Sequence, residues 1–276
     1  MHVFETPGSV SLQIKLPSGR VVVTTADQPQ TTVEVVALGR RGQDAVDEID
    51  VTMEERQGRY LVRIEQKDKF RWGPIQITWG GDFECRIVCP PGTDLDFAGG
   101  STDLRAEGEL GEVSVRTASG DVQLGSTLGE LQVKTASGDI SVGAVAVDAS
   151  LVTVSGDLRV DRLEAPLTAR SVSGDVTVGA VVGELGLSTT SGDVDLKSVV
   201  NGDVRVQTVS GDVRIGIARG TRVWIDAASV SGDLRSELGL EDQQPASEAD
   251  SSVVPLHVKT VSGDVSIVRA AEVLSA

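Results

Sequence analysis

Aromatic side chains are scarce in this chain of 276 residues, which has four Phe, three Trp and one Tyr. All of them except Trp224 lie before residue 98. A core made almost wholly of Val, Leu, Ile and Ala suits thin stacked layers better than a thick sandwich, because short aliphatic side chains fill little depth. The loss of aromatics therefore predicts an organisational boundary near residue 98.

Histidine and the motifs of common enzyme families are rare or missing. The two histidines, His2 and His257, stand in no metal-binding spacing. The sequence contains no P-loop and no G-x-G-x-x-G, H-E-x-x-H, C-x-x-C or G-x-S-x-G motif. We therefore expect no cofactor, no metal site and no enzymatic activity.

Basic residues are outnumbered, since 25 Lys and Arg stand against 41 Asp and Glu, for a net charge of −16. A nucleic-acid backbone is thus not an expected partner. In residues 98–276, 14 basic residues face 26 acidic ones, and nine of those acids belong to the repeated turn described below. Without these nine the count is 14 against 17, so most of the acidity is turn chemistry.

Long hydrophobic runs are absent, and no stretch approaches the roughly 20 apolar residues that a membrane helix needs. The first five residues, Met1 to Glu5, do not begin a signal peptide, so we expect no membrane span and a cytoplasmic location. Cys85 and Cys89 lie four apart on a predicted strand, roughly 13 Å from each other. A disulfide needs Cα atoms within about 7 Å, so buried free thiols are expected.

What the sequence does contain is an internal repeat. The tripeptide Ser-Gly-Asp begins at eight positions: Ser119, Ser137, Ser155, Ser173, Ser191, Ser210, Ser231 and Ser262. The first five are 18 residues apart, and the later intervals are 19, 21 and 31 residues. Ser101-Thr102-Asp103 lies 18 residues before the first copy and resembles it, so nine rung openings are predicted.

Sequence columns keep their chemistry from copy to copy. Three residues after each opening stand Leu104, Val122, Ile140, Leu158, Val176, Val194, Val213, Leu234 and Val265. Five residues after it stand Ala106, Leu124, Val142, Val160, Val178, Leu196, Ile215, Ser236 and Ile267. Further apolar columns lie at offsets 12 and 14, and a Thr or Ser stands two residues before each Ser-Gly-Asp. Each rung therefore carries two short alternating strands.

Rungs of this size must stack, because four or five apolar side chains cannot offset the entropy of ordering 18 residues. We predict an all-β, single-chain parallel β-solenoid with 18-residue rungs over residues 98–276, preceded by an N-terminal β-rich capping region at 1–97. A right-handed β-helix is the favoured form. Leu16 to Val21 also resembles a rung opening, so the coil can begin earlier than residue 98.

The repeated tripeptide predicts a sharp turn in every rung, with Gly accepting a positive φ and Ser and Asp bonding backbone amides. Stacking places the turn aspartates at about 4.8 Å spacing. This structural turn ladder comprises Asp103, Asp121, Asp139, Asp157, Asp175, Asp193, Asp212, Asp233 and Asp264. Local turn capping is the favoured interpretation, and a ladder of weak cation sites is the alternative.

Two local features are candidate partner contacts. A predicted loop mixes cations and aromatics at Lys67, Lys69, Phe70, Arg71 and Trp72, although such clusters are more often solvated hairpin tips. Trp224 points outward by strand alternation, or else packs beneath the acidic insertion at 237–252. That insertion holds five acids and no base, which is typical of a flexible excursion.

The repeat also resembles a known family. The segments Thr135 to Ile140 and Thr208 to Val213, and the approach Cys89-Pro90-Pro91-Gly92-Thr93, are similar to the bacterial β-strand-repeat proteins labelled "putative adhesin". That family is catalogued as a domain of unknown function. The resemblance covers nearly the whole chain. It implies a β-solenoid with a surface role and supplies no established catalytic residues.

Three functional hypotheses follow. The leading one is a non-enzymatic scaffold or interaction protein, adhesin-like, that binds a protein partner. The second is a self-assembling structural element similar to the bactofilins of the cytoplasm, whose solenoids polymerise end to end. The third, least favoured, is an enzyme of the polysaccharide-lyase type, which needs clustered Lys and Arg on one sheet. Outward residues such as Arg116, Lys134, Arg159 and Arg205 form no obvious cluster in the sequence.

Overall fold

The computed structural model describes residues 1–38, 46–67, 83–238 and 253–270, and these residues form 22 β-strands. The chain divides into two compact units, residues 1–140 and 141–276. Both are parallel β-solenoids, which confirms the predicted fold class. In the described ranges no helix is long and apolar enough to cross a membrane.

The first unit begins with a long strand that already belongs to the coil. Its strands are β1 (His2–Glu5), β2 (Ser9–Thr25), β3 (Gln30–Ala37), β4 (Ile49–Arg56), β5 (Arg59–Gln66), β6 (Phe83–Cys89), β7 (Thr93–Thr117), β8 (Val122–Thr127) and β9 (Leu131–Thr135). Strand β2 pairs in parallel with β7, and Ser18 lies opposite Ser101 and Val21 opposite Leu104. The predicted early rung opening near residue 18 is therefore confirmed.

The remaining N-terminal strands form the predicted cap. On its other side β2 pairs in parallel with β5 and β6, which make a further layer. Antiparallel strands then cover that layer, with β4 on β5, β3 on β6 and β1 on β3. Since parallel stacking cannot continue past an antiparallel strand, this arrangement ends the coil. The division between 1–97 and 98–276 as separate domains stays a prediction, and β7 crosses residue 98 without a break.

The second unit stacks its strands in two parallel columns. Its strands are β10 (Ile140–Val145, beginning at the unit boundary), β11 (Ala149–Val152), β12 (Leu158–Leu163), β13 (Leu167–Arg170), β14 (Val176–Val181), β15 (Leu185–Ser188), β16 (Val194–Val199), β17 (Val204–Gln207), β18 (Val213–Ile217), β19 (Val223–Ser231), β20 (Leu234–Ser236), β21 (Val254–Ser262) and β22 (Val265–Arg269). One column runs β12, β14, β16, β18, and the other β11, β13, β15, β17. The handedness of the coil stays a prediction.

The last two rungs stack out of sequence order. The layer of β17 and β18 is covered by β21 and β22, although β19 and β20 follow it in the chain. Strands β19 and β20 lie on the far side of β21 and β22 and form the outermost described layer. The sequence predicted nine openings stacked in order, so the order of the Ser231 and Ser262 rungs is a difference. The chain between them passes through the insertion at 237–252, of which residues 239–252 lie outside the described ranges.

The core is a set of aliphatic columns, as the repeat predicts. In the first apolar column every residue from Leu104 to Val213 is buried, and so is Val265. Leu234 is the exception, because its rung is the outermost one. Phe83 and Phe97 add larger side chains to the core of the first unit. The Thr or Ser before each turn is buried from Thr117 to Thr208 and at Thr260.

Candidate interaction surface

The Ser-Gly-Asp turns stack so closely that only glycine fits at their centre. A Cβ atom added to Gly138 would lie 1.9 Å from the carbonyl oxygen of Gly120, and one added to Gly192 would lie 2.2 Å from that of Gly174. The sequence argument had invoked a positive φ, which applies at Gly192 (φ 140°) but is not recorded for Gly138. Close approach of backbones from neighbouring rungs is thus the common reason for glycine.

The turn aspartates form a hydrogen-bonded ladder. The Oδ1 atom of each aspartate accepts the backbone N–H of the aspartate in the next rung, at 2.8–3.2 Å. In the first unit the ladder runs Asp103, Asp121, Asp139, and in the second Asp157, Asp175, Asp193, Asp212, Asp264, Asp233. One carboxylate oxygen therefore caps the turn of the next rung, which supports the capping interpretation. In the part of the chain that the structure describes, no group of three or more His, Cys, Asp or Glu could hold a metal ion.

Threonines brace the same turns from inside. The Oγ1 atoms of Thr117, Thr135 and Thr153 each accept the N–H of the glycine three residues later, at 3.0–3.2 Å. These glycine amides are buried, so the hydroxyl acceptor satisfies a donor that water cannot reach. The turn is consequently fixed from both sides, and its outer surface has the same shape in successive rungs.

That outer surface carries an exposed column of valines in the second unit, which we call the valine corner. It consists of the residue immediately before Ser-Gly-Asp in five rungs: Val154, Val172, Val209, Val230 and Val261. These side chains are between 46% and 83% exposed. The serine and aspartate of each turn are exposed beside them. In the first unit the same position is Ala118 or Ala136.

The valine corner is not explained by local structure alone. Val154, Val172 and Val209 stand at bends and not in strands, so strand propensity gives no reason for valine there. Rungs about 4.8 Å apart place six openings along roughly 24 Å, with Thr190 as the one polar member of the column. An apolar stripe of this length beside a row of carboxylates is the kind of surface that proteins use for contacts. The sequence analysis did not select it, although the valines were visible in register before each serine.

The predicted contacts at Lys67–Trp72 lie mostly outside the described residues. Lys69, Phe70, Arg71 and Trp72 fall in the undescribed range 68–82, so the structure does not test them. Lys67 is described, and its Nζ lies 3.6 Å from Asp50 Oδ1. Its role as a partner contact stays a prediction.

Trp224 lies on the outermost described rung and is 55% exposed, as strand alternation predicts. Its ring packs edge to face against the imidazole of His257 on β21, with ring centroids 5.3 Å apart. His257 Nδ1 in turn lies 3.3 Å from Asp226 Oδ2. Whether the insertion covers Trp224 lies outside the described residues.

The two cysteines are free and buried in β6, as expected. Burial raises the pKa of Cys85 to about 12. Burial also raises the pKa of Cys89 to about 11, against a smaller lowering by a hydrogen bond with Thr93. Both thiols therefore stay protonated near neutral pH and cannot act as nucleophiles there.

Exposed cations along the strands of the second unit sit in separate ion pairs. Arg159, Arg162, Lys197, Arg205 and Arg235 each pair with an acid two residues away in sequence. Such exposed pairs contribute little to stability. They do divide the positive charge into isolated sites, each already facing a carboxylate.

Comparisons with known proteins place the chain among similar solenoids. A family model described as Toastrack DUF4097 matches residues 10–268. A solved structure from Bacteroides fragilis, described as a "putative adhesin", is 12% identical, covers 96% of this chain and 95% of its own, and has a TM-score of 0.43. A "putative lipid binding protein" from Parabacteroides distasonis is 10% identical, with coverages of 98% and 96% and a TM-score of 0.48. A "putative cell adhesion protein" from Clostridium sporogenes is 10% identical, covers 97% of each chain and has a TM-score of 0.25. A search of curated proteins gives no match.

Proposed function

The chain belongs to the Toastrack DUF4097 family, and from this premise we propose that it is a non-enzymatic interaction scaffold whose contact surface is the valine corner. The observation that carries the proposal is the column itself. Five exposed valines stand in register on a turn that is fixed by the aspartate ladder, the stacked glycines and the buried threonines. A rigid stripe of this kind loses little conformational entropy when a partner binds.

The chemistry of the corner defines the kind of protein partner that would fit it. The valines supply an apolar strip, and the aspartates beside it supply carboxylates whose Oδ2 atoms are not used by the ladder. A segment with apolar side chains in a row and Lys or Arg along one flank would match both features. Because the surface repeats with every rung, such a segment would bind in an extended form along the stack.

The arrangement of the outward charges supports a non-enzymatic role over a polysaccharide-lyase type. That enzyme class needs several cations converging on one substrate, whereas the exposed cations of the second unit are held in separate pairs. The protonated thiols of Cys85 and Cys89 also offer no nucleophile. We propose a cytoplasmic location as well, which fractionation of the native cells would test.

Site-specific photocrosslinking tests the proposed contact surface. A photoreactive amino acid is placed at Val172 or at Val209 and the protein is crosslinked in its native cells. Val200 is the matched control, because it is a similarly exposed valine that stands at the other bend of the coil. The proposal expects one shared partner from Val172 and Val209 and none of it from Val200. Equal crosslinking from Val200, or no discrete partner from either corner position, would contradict it.

The binding chemistry is then tested with the partner that the crosslink identifies. Replacing both Val172 and Val209 by serine keeps the turn and removes most of the apolar strip. Each exposed valine that becomes buried on binding is worth about 1 kcal/mol, so the pair should weaken binding by roughly tenfold or more. Val200→Ser should leave affinity unchanged in the same titration.

A further inference from the structure

The outermost rung of the second unit has a described neighbour on one side only. Strand β19 pairs with β21 and strand β20 pairs with β22, and within residues 141–238 and 253–270 no strand lies on the far side of either. Ile225 is 36% exposed and Leu234 is 51% exposed. Their partners across the pairing, Leu256 and Val265, are almost fully buried. The rung thus presents apolar side chains and an unpaired strand edge.

An edge of this kind is a template for another strand. The first unit covers its own outer layer with the antiparallel strands β3 and β4. The described residues of the second unit contain no equivalent cover. A strand that docks here would extend the sheet and bury Ile225 and Leu234 together.

The charges along β19 indicate which strand fits. Arg222, Trp224 and Asp226 alternate on the outward face, and Val223 and Ile225 alternate between them. In an antiparallel pair, residues at equal distances on either side of the centre lie opposite each other. If β19 pairs with a second β19 about Trp224, Arg222 faces Asp226 of the second copy and Val223 faces its Ile225. Both charge contacts occur twice, because the arrangement is two-fold symmetric.

We propose that this rung is a docking edge for a second copy of the chain, with β19 of the two copies paired antiparallel about Trp224. Cross-strand pairs of opposite charge stabilise a sheet, and like charges directly opposite destabilise it. Trp224 already packs on His257 on one side and keeps more than half of its surface exposed, so it lies at the centre of the new contact. The proposal is independent of the valine corner.

Charge reversal with mixing tests this register. Arg222→Glu places Glu opposite Asp226, and Asp226→Arg places Arg opposite Arg222, so each variant alone should dimerise roughly tenfold or more weakly than the original protein. A mixture of the two variants restores an opposite-charge pair at both contacts. Sedimentation velocity over a concentration series should therefore show a dimer for the original protein, mainly monomer for each variant, and a dimer again for the equimolar mixture.

The controls separate association from folding. Arg159→Glu and Asp161→Arg reverse a comparable outward ion pair on β12, several rungs from the open edge, and should leave the dimer unchanged. Circular dichroism and thermal unfolding establish that each variant is folded, and restoration in the mixture also requires folded chains. Hydrogen exchange should show β19 amides that become protected only as the dimer forms.

Several results would overturn the proposal. A monomer at every concentration, with β19 amides already protected, would mean that the chain itself covers this edge. A dimer unaffected by either reversal, or variants that fail to recover on mixing, would place the contact elsewhere. Growth into filaments, as the bactofilin-like hypothesis expects, would mean that the edge pairs with a different surface of the next copy.

Discussion

Replacing Gly192 with alanine should destabilise the second unit strongly, because the stacked turns leave no room for a side chain. The new Cβ would lie 2.2 Å from the carbonyl oxygen of Gly174, at least 0.8 Å closer than the 3.0 Å below which real Cβ contacts essentially never fall. The backbone at Gly192 has a φ of 140°, which L-residues rarely adopt. Both the contact and the dihedral therefore oppose the substitution.

The magnitude follows from the bonds that must lengthen. Moving the two rungs apart at this turn stretches the bonds from Ser191 N to Val172 O and from Gly174 N to Ser191 O, now 2.8 and 3.1 Å. Two backbone hydrogen bonds contribute about 1–3 kcal/mol together, and the strained dihedral costs about 1–3 kcal/mol more. We expect a loss of roughly 2–5 kcal/mol in the free energy of unfolding. Urea denaturation followed by circular dichroism should show the midpoint lowered by about 1–2 M.

Gly186→Ala is the matched control in a neighbouring rung. Gly186 lies in β15, where an added Cβ would come no closer than 3.9 Å to Leu167 O. Alanine there should leave stability unchanged or raise it by about 0.4–1 kcal/mol, because it restricts the unfolded chain. If Gly192→Ala unfolds at the same urea concentration as Gly186→Ala, the reasoning about stacked turns is wrong.

Three other predictions concern titratable groups. Asp193→Ala should lower stability by about 1 kcal/mol, since Asp212 N–H loses its acceptor, whereas Asp193→Asn keeps an oxygen, removes one of a row of like charges and should equal or exceed the original in thermal unfolding. Chelation with EDTA should leave the melting temperature unchanged if the ladder acts by capping, and a marked drop would favour cation sites. Cys85 and Cys89 should resist a thiol reagent at pH 8 until urea is added. Because their pKa values are raised from 9.0 in the folded state only, the free energy of unfolding should fall as pH rises from about 9 towards 12.

Much of the fold could be predicted from the sequence because the repeat fixes both register and burial. Columns three and five residues after each opening proved to be buried and in parallel register, as in the pairing of Leu158 with Val176. Phe83–Cys89 was predicted as a strand with its observed bounds. These features depend on local alternation and on the return of an identical turn, both of which are visible in one sequence.

The order of the last two rungs could not be predicted in the same way. Leu234 and Val265 carry equivalent chemistry, and both rungs open with Ser-Gly-Asp, so either could stack on the layer of Val213. Two signals pointed to the outcome. Ser236 replaces an aliphatic residue in an inward column, which suits an outer layer, and the 31-residue interval gives the chain enough length to return.

The candidate surface was missed because the search selected residues that break the pattern, such as Trp224. The valine corner instead follows the pattern and differs only in being exposed. Exposure at a bend depends on how the turns stack, and a single sequence does not show that. Valines in register before Ser-Gly-Asp are the signal that could have revealed it.

The reversed order of the two final layers restricts how such a chain can lengthen during evolution. Duplication of an 18-residue unit between Ser119 and Ser191 adds one more storey to a regular stack, because its neighbours above and below already have matching faces. A copy appended after Ser262 would meet a layer that is already enclosed on both sides by β18 and β20. Relatives of different length should therefore vary in the middle of the repeat and keep the C-terminal crossover intact.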